Sequence, residues 1–151
     1  MKFSLDDLPN HTVSRLSRLV SADMTAANRG NPTPAFVLAT PVVLQLFEEC
    51  AARVVLPYLG PEFLILGVEA TISHSRPTPT GLTIEVEAEL VERQGNKLKF
   101  ALKAWDAFEV VAYGSLTSAV VSRDDFESRF REKFNYPPAN SATDGSAPHN
   151  G

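Results

Sequence analysis

One long apolar helix pattern, followed by strand patterns, constrains the fold of this chain more than any other feature. The run TPVVLQLFEECAARVVLPYL starts with Thr40, a favoured helix N-cap, and Pro41, whose missing N–H is no loss at the first helical position. Because Pro57 marks the far end, the run predicts a helix from about Pro41 to Leu56. Its apolar residues form a broad stripe with little polar face: Val42, Val43, Leu46, Phe47, Cys50, Ala51, Val54 and Val55. We therefore expect a buried helix.

After this helix the sequence changes to the period-two alternation of strands. Alternating apolar residues predict strands over 64–72 and 82–90, and a turn at 93–96 leads into a third strand over 97–104. A fourth strand is predicted over 110–121. The second and third strands form a hairpin with an acidic row on one outer face and a basic row on the other. We expect these rows to pair across the hairpin.

The remaining segments have weaker patterns. Residues 12–20 fit a strand or a helix, because neither period is decisive over so few residues, and we predict a strand before the helix. Residues 21–34, rich in turn-forming residues, predict a loop with a short helical piece around 23–27. A short amphipathic helix is predicted over 124–134, where phenylalanines recur every four residues. The polar segment 136–151 has the composition of a disordered tail.

These elements have one economical packing, in which an antiparallel sheet wraps around the single long helix. That arrangement is the hot-dog fold, of the α+β class. The 151 residues leave room for one domain with a real core, which we assign to residues 1–135, followed by the tail at 136–151.

The composition excludes several classes of protein. The net charge of -4, without any basic run, gives no reason to expect nucleic acid as a partner. No apolar stretch approaches the about 20 residues of a membrane span, and the first ten residues lack an export signal, so neither membrane insertion nor export is predicted. A single cysteine, Cys50, rules out an internal disulfide framework and suits the cytoplasm. The three histidines lack metal-site spacing.

Polar residues in apolar or strand-like surroundings are the candidate functional groups, because a buried polar group needs a partner or a purpose. Glu48 lies within the helix and His74 ends a strand pattern. Four-residue steps from Gln45 through Glu49 to Arg53 place Glu49 on the solvent side, so Glu48 is predicted to be the buried acid.

Each candidate also has a plain structural explanation. Thr40 could serve only as a helix N-cap, Glu48 could be a solvated helix residue, and His74 could be an ordinary turn histidine. Cys50 is expected to be a core residue, not a reactive thiol.

Five stretches carry a resemblance to a known family: Thr12-Val13, LATPVVLQLFEECA at 38–51, LPYL at 56–59, LGVEATISHSRPTPTG at 66–81 and AVVSRDDF at 119–126. Over about 12–130 the chain resembles the fluoroacetyl-CoA thioesterase-like group of hot-dog proteins. The resemblance implies that Thr40, Glu48 and His74 occupy catalytic positions and that Gly67 lies near the thioester carbonyl. It also implies an acyl-CoA substrate and no cofactor, since coenzyme A is part of the substrate.

Thioester hydrolysis needs hydrogen-bond donors for a developing oxyanion and a group that activates water or attacks the carbonyl. The helix N-terminus beside Thr40 offers N–H groups, and Glu48 offers a carboxylate as general base or nucleophile. We expect His74 to move a proton or to hold Glu48 or water. Thr40 is expected to be an orienting donor and not a nucleophile, because no dedicated base lies near it in the sequence.

The spacing of Thr40 and Glu48 predicts an oligomer. Eight residues of helix span about 12 Å, too far for direct contact, so either the substrate reaches both residues or two subunits combine theirs across a two-fold interface. We therefore expect a homodimer or a higher oligomer with composite sites.

Two departures from the family pattern bear on the substrate. Ser118 stands where the fluoroacetyl-specific enzymes carry an arginine, and Pro34 stands in place of an aromatic lid residue. Fluoroacetyl-CoA is therefore not the expected substrate. Arg76 could supply the missing positive charge or meet a CoA phosphate, or could simply be an exposed turn residue.

The sequence thus predicts a cytoplasmic, homodimeric acyl-CoA thioesterase for a short or modest acyl group. A non-catalytic module that binds acyl-CoA or another small molecule is the alternative. A hot-dog hydratase is disfavoured, because such enzymes generally use an Asp-His pair in a differently placed helix motif.

Overall fold

A five-stranded antiparallel sheet wraps around one long helix in the computed structural model, which describes residues 4–33 and 36–137. The strands and helices are, in chain order, β1 (Val13–Leu19), α1 (Thr40–Val55), β2 (Phe63–His74), β3 (Thr83–Gln94), β4 (Lys97–Trp105), β5 (Val110–Ser122), α2 (Arg123–Arg129) and α3 (Arg131–Asn135). The strand order in the sheet is β1-β3-β4-β5-β2. The prediction of an α+β hot-dog architecture is confirmed.

The core lies between α1 and the inner face of the sheet. The apolar stripe of α1 is buried as expected, and the alternating apolar residues of β3 and β4 face it, because successive strand residues point to opposite faces. Cys50 is fully buried, and its thiol lies 3.2 Å from the carbonyl oxygen of Ser14. Burial raises the pKa of this thiol. Cys50 is therefore a core residue, as predicted.

The start of α1 differs from the sequence expectation. The N-cap is Ala39, in extended conformation, and Thr40 is the first helical residue, followed by Pro41. The prediction that Thr40 caps the helix was wrong, because its hydroxyl bonds no N–H of the helix and contacts His74 instead. At the far end, a 3-10 turn over Leu56–Tyr58 carries the chain past Pro57.

The acidic row of β3 also pairs differently from the prediction. Arg15 of β1 contacts Glu87 at 2.8 Å, and His11 contacts Glu89 at 2.7 Å. Within the part of the chain that the structure describes, this row forms its ion pairs with the β1 side and none with the lysines of β4. Because β3 lies between β1 and β4, its carboxylates have a strand with cationic side chains on each side.

Segments outside the main sheet largely follow the predictions. The loop before α1 contains two short 3-10 turns, Ala22–Met24 and Ala26–Asn28. The region predicted as one helix after β5 is two short helices that meet at Phe130. Apart from Tyr136 and Pro137, the predicted tail lies outside the described residues. No described helix has the length and hydropathy required to cross a membrane.

The strand β2 forms one edge of the sheet and pairs only with β5 among the described elements. It is 12 residues long, and a bulge between Gly67 and Glu69 interrupts its register. Val68, at this bulge, is 54% exposed. A long, partly apolar edge strand is a surface on which another strand can pair.

Candidate active site

Thr40 and His74 lie in direct contact. The Thr40 hydroxyl oxygen is 2.8 Å from Nδ1 of His74, which joins the first turn of α1 to the last residue of β2. No base lies near Thr40 in the sequence, and the structure places beside its hydroxyl an imidazole from a residue 34 positions away in the chain. This pair has the geometry in which a hydroxyl and an imidazole exchange a proton.

The first turn of α1 offers one open backbone donor. Pro41 has no N–H, and the N–H groups of Val42 and Val43 both donate to the carbonyl of Ala39, at 3.0 and 3.1 Å. Among the described residues, the N–H of Thr40 has no partner. Of the backbone donors expected at the start of the helix, only the N–H of Thr40 is therefore open among the described residues, and it lies next to the Thr40 hydroxyl.

His74 is half-buried, and its environment favours the neutral ring. Burial lowers the pKa of His74, and the backbone of Arg76 opposes this shift only in part. The Nε2 atom is buried and has no hydrogen-bond partner among the described residues. A neutral imidazole next to a hydroxyl can act as a base near neutral pH.

We expect the imidazole of His74 to titrate below the usual value of 6.5. Because the unfolded chain then binds more protons than the folded one at pH values below 6.5, the His74 contribution should destabilise the fold as the pH falls through this range. A ¹H–¹³C NMR titration measures the pKa, and the spectrum of His74→Gln assigns the signal. A midpoint at or above 6.5 would contradict the burial of the ring.

Glu48 lies beside Gly67, at some distance along α1 from Thr40. A β-carbon at Gly67 would be 3.5 Å from Oε1 of Glu48 and 3.5 Å from Cδ1 of Leu116, which are ordinary van der Waals distances and place Glu48 directly over this position of the strand. Gly67 pairs with Ser118 across β2 and β5. The carboxylate therefore faces the sheet at the bulge of the edge strand.

These residues line a cavity of about 300 Å³ between α1 and the sheet. Its lining comprises Gln45, Glu48, Glu49, Ala52, Ile65, Gly67, Leu116 and Ser118. Ser118 is only 3% exposed, and its hydroxyl forms no hydrogen bond with the described residues. The sequence marked Ser118 only as a departure from a family pattern, and it gave no signal for Leu116 or Ile65 as cavity residues.

The prediction that Glu48 is the buried acid was wrong for the single chain. Glu48 is exposed, and Glu49 is the half-buried one. Glu49 contacts Arg18 of β1 at 2.7 Å and Arg53, one turn along α1, at 2.9 Å. The proximity of Glu49 to Arg53 was anticipated, whereas the contact with Arg18 depends on how β1 crosses the helix.

The structure does not bring Glu48 to the Thr40–His74 pair within one chain. Thr40 and Glu48 are separated by eight residues of helix, about 12 Å along the axis. Gly67 and His74 are six ladder positions apart along β2, because the bulge adds a residue, and this distance is about 20 Å of strand. The candidate residues thus form two groups along the same edge of the molecule.

The Arg76 side chain forms its ion pair with neither group, although its backbone faces the His74 ring. Its Nε atom is 3.5 Å from Oε1 of Glu109, and its side chain is 64% exposed. No three His, Cys, Asp or Glu side chains of the described residues are placed to hold a metal ion.

Comparisons with known proteins identify the family of this chain. The family model described as FlK, fluoroacetyl-CoA-specific thioesterase, matches residues 20–124. A fluoroacetyl-CoA thioesterase from Streptantibioticus cattleyicolor is 33% identical over 97 residues, which cover 64% of this chain and 70% of that protein.

Solved structures give the same result. A structure of the fluoroacetyl-CoA thioesterase FlK has a TM-score of 0.79 at 26% identity, and the match covers 87% of this chain and 100% of the FlK chain. A hot-dog-like protein from Thermanaerovibrio acidaminovorans has a TM-score of 0.78 at 25% identity, over 86% of this chain and 96% of its own. With the family model matching well over half of its length, this chain belongs to the fluoroacetyl-CoA-specific thioesterase family.

Proposed function

We propose that this protein hydrolyses acyl-CoA thioesters with a short or modest acyl group, in composite sites formed by a homodimer. The observation that carries the proposal is the 2.8 Å contact between Thr40 and His74 at the open end of α1. Family membership supports acyl-CoA thioesterase chemistry. A structure of a threonine-to-serine mutant of FlK in complex with acetyl-CoA, 26% identical to this chain with a TM-score of 0.75, supports an acyl-CoA substrate.

In this proposal Thr40 presents donors to the substrate. When Nδ1–H of His74 donates to the Thr40 hydroxyl oxygen, the hydroxyl proton is free to point at the thioester carbonyl, beside the open N–H of Thr40. This tautomer leaves an unpaired lone pair on the buried Nε2 and avoids a buried N–H without an acceptor. Two donors aimed at one oxygen stabilise the negative charge that develops there.

Glu48 supplies the carboxylate. As a general base it takes a proton from water while the water oxygen bonds to the acyl carbon and the C–S bond breaks. As a nucleophile it bonds to the acyl carbon itself, releases the CoA thiolate and forms a mixed anhydride that water then hydrolyses. The carboxylate lines the cavity between α1 and the sheet, next to the space proposed for the acyl group.

A two-fold interface would bring the two groups of residues together. If the β2 edges of two protomers pair antiparallel about an axis at Thr71, Gly67 of one protomer lies opposite the partner's His74, because the bulge leaves both residues three ladder positions from Thr71. Glu48, which lies beside Gly67, then approaches the partner's Thr40 and His74. The same interface would cover the side of Glu48 that is exposed in the single chain. Residues of both subunits would complete each site.

The acyl group is proposed to occupy the cavity between α1 and the sheet. Its floor combines the bare backbone of Gly67, the aliphatic side chains of Ile65 and Leu116, and the small Ser118. A volume of about 300 Å³ accommodates an acyl chain of a few carbons. Ser118 is much smaller than the arginine that stands at this position in the fluoroacetyl-specific enzymes, so it leaves more space in the cavity. This difference supports acyl groups other than fluoroacetyl.

The test is thiol release from a panel of acetyl-, butyryl-, isobutyryl-, benzoyl-, fluoroacetyl- and palmitoyl-CoA. We expect turnover of the short esters, with kcat/KM for palmitoyl-CoA at least about 10-fold lower, because a long chain exceeds the cavity. Binding of the esters without thiol release from any of them would contradict the hydrolase proposal and favour the binding module. The predicted cytoplasmic location is tested separately, by cell fractionation.

A further inference from the structure

Two buried polar side chains outside the candidate site form a hydrogen bond that the proposed chemistry does not use. Asp106, in the turn between β4 and β5, is 6% exposed, and Thr78, in the segment after β2, is fully buried. The Thr78 hydroxyl donates to Oδ2 of Asp106 at 3.1 Å. Oδ1 of Asp106 accepts the backbone N–H groups of Phe108 at 2.8 Å and Glu109 at 3.1 Å. Three donors therefore hold the carboxylate in one orientation.

Thr78 lies where the segments that carry Thr40 and His74 meet. It follows His74 by four residues, and its carbonyl accepts the N–H of Leu38 at 2.8 Å. Leu38 precedes Thr40 by two residues. A single residue thus links the chain after His74 to the chain before Thr40.

The link is part of a short ladder between 36–38 and 78–80. Val37 bridges Pro79, and the N–H of Thr80 donates to the carbonyl of Phe36 at 3.0 Å. The ladder stands outside the main sheet, so its register is not set by the strands β1 to β5. The Thr78–Asp106 bond is the side-chain contact that attaches it to the sheet at the β4–β5 turn.

We propose that Asp106 and Thr78 are positioning residues, which set the register of this ladder and thereby hold the Thr40 hydroxyl against His74. The inference rests on the proposed function, since it assigns a role in turnover to the Thr40–His74 contact. Loss of the bond leaves a buried acceptor without its donor and frees the ladder to shift. A displacement of about 1 Å at reacting groups can cost about 100-fold in rate.

The test compares Thr78→Val with Thr78→Ser. Valine keeps the shape and removes the hydroxyl, and we expect kcat to fall at least about 10-fold while KM stays within about 3-fold, because substrate contacts are unchanged. The NMR signals of the His74 ring should move as well. Serine keeps the hydroxyl and should restore both kcat and the His74 signals. Asp106→Ala, which removes the acceptor of the same bond, should reproduce the effect of valine.

Thr25→Val is the matched control. Thr25 is also fully buried, and its backbone bridges Leu38 of the ladder, but its hydroxyl donates to the carbonyl of Ala22 at 2.7 Å and not to the sheet. We expect this variant to lose stability similarly, yet to keep kcat and the His74 signals. The readouts therefore separate positioning from a general loss of stability.

Three results would overturn the inference. One is a folded Thr78→Val or Asp106→Ala protein with wild-type kcat and wild-type His74 signals. Another is an equal effect of Thr25→Val on these readouts. The third is failure of both Thr78→Val and Asp106→Ala to fold, which would show a role in the whole fold. If wild type releases no thiol while Thr78→Val alone moves the His74 signals, the positioning link holds and the proposed function fails.

Discussion

Replacing Glu48 with glutamine is expected to lower kcat for the best acyl-CoA substrate at least about 100-fold, without unfolding the protein. An amide of the same shape neither takes a proton from water nor attacks a carbonyl, and a positioned base or nucleophile typically contributes this much. Because Glu48 is exposed in the single chain, the neutral side chain should be tolerated. Thiol release under saturating substrate measures kcat, and circular dichroism checks the fold.

The adjacent residue provides a control of identical chemistry. Glu49→Gln removes a carboxylate that contacts Arg18 and Arg53 at the mouth of the same cavity. These ion pairs are more than one third exposed, so their loss should cost at most about 1 kcal/mol of stability. We expect kcat within about 3-fold of wild type. Equal activities for the two variants would exclude a special role for the Glu48 carboxylate.

Mixing two inactive proteins is expected to restore activity if the sites are composite. We expect Thr40→Ala and Glu48→Gln homodimers each to lose activity, since every site lacks one group. In a mixed dimer, one site combines the intact Thr40–His74 pair of one protomer with the intact Glu48 of the other. That site should recover about half of the activity of a wild-type dimer, because one of two sites is complete.

The matched control mixes Thr40→Ala with His74→Ala. These residues contact each other within one chain, so both sites of this mixed dimer stay defective and no activity should return. Affinity tags on the two chains allow the mixed dimer to be purified and its subunit ratio confirmed. A verified Thr40→Ala and Glu48→Gln hybrid without activity would show that the candidate residues do not combine across the interface.

Local sequence patterns were sufficient to predict the elements and their packing. The unbroken apolar stripe from Val42 to Val55 requires a surrounding sheet, and the period-two residues of β3 and β4 supply its inner face. Such patterns are short-range, because side-chain direction repeats with the helix or strand period wherever the backbone is regular. They therefore predicted the single long helix and the four strands after it, whereas the position of β2 beside β5 instead of β3 depends on long-range pairing.

The candidate residues themselves were also visible in the sequence, although their roles were not. Thr40, Glu48 and His74 could be named because polar groups in apolar runs are rare and because the family spacing is present. Helix periodicity then failed to decide between Glu48 and Glu49. The burial of a helix face depends on which strands cross it, and β1 places Arg18 against Glu49.

Only the tertiary structure decided which polar groups meet. The contact between Thr40 and His74 spans 34 residues, and it depends on where β2 ends beside the start of α1. The Thr78–Asp106 bond depends likewise on the ladder after β2 and on the β4–β5 turn. Local periodicity gives the direction of a side chain but not its distance from a residue in another element. That distance follows from strand register, bulges and loop paths, which long-range packing determines.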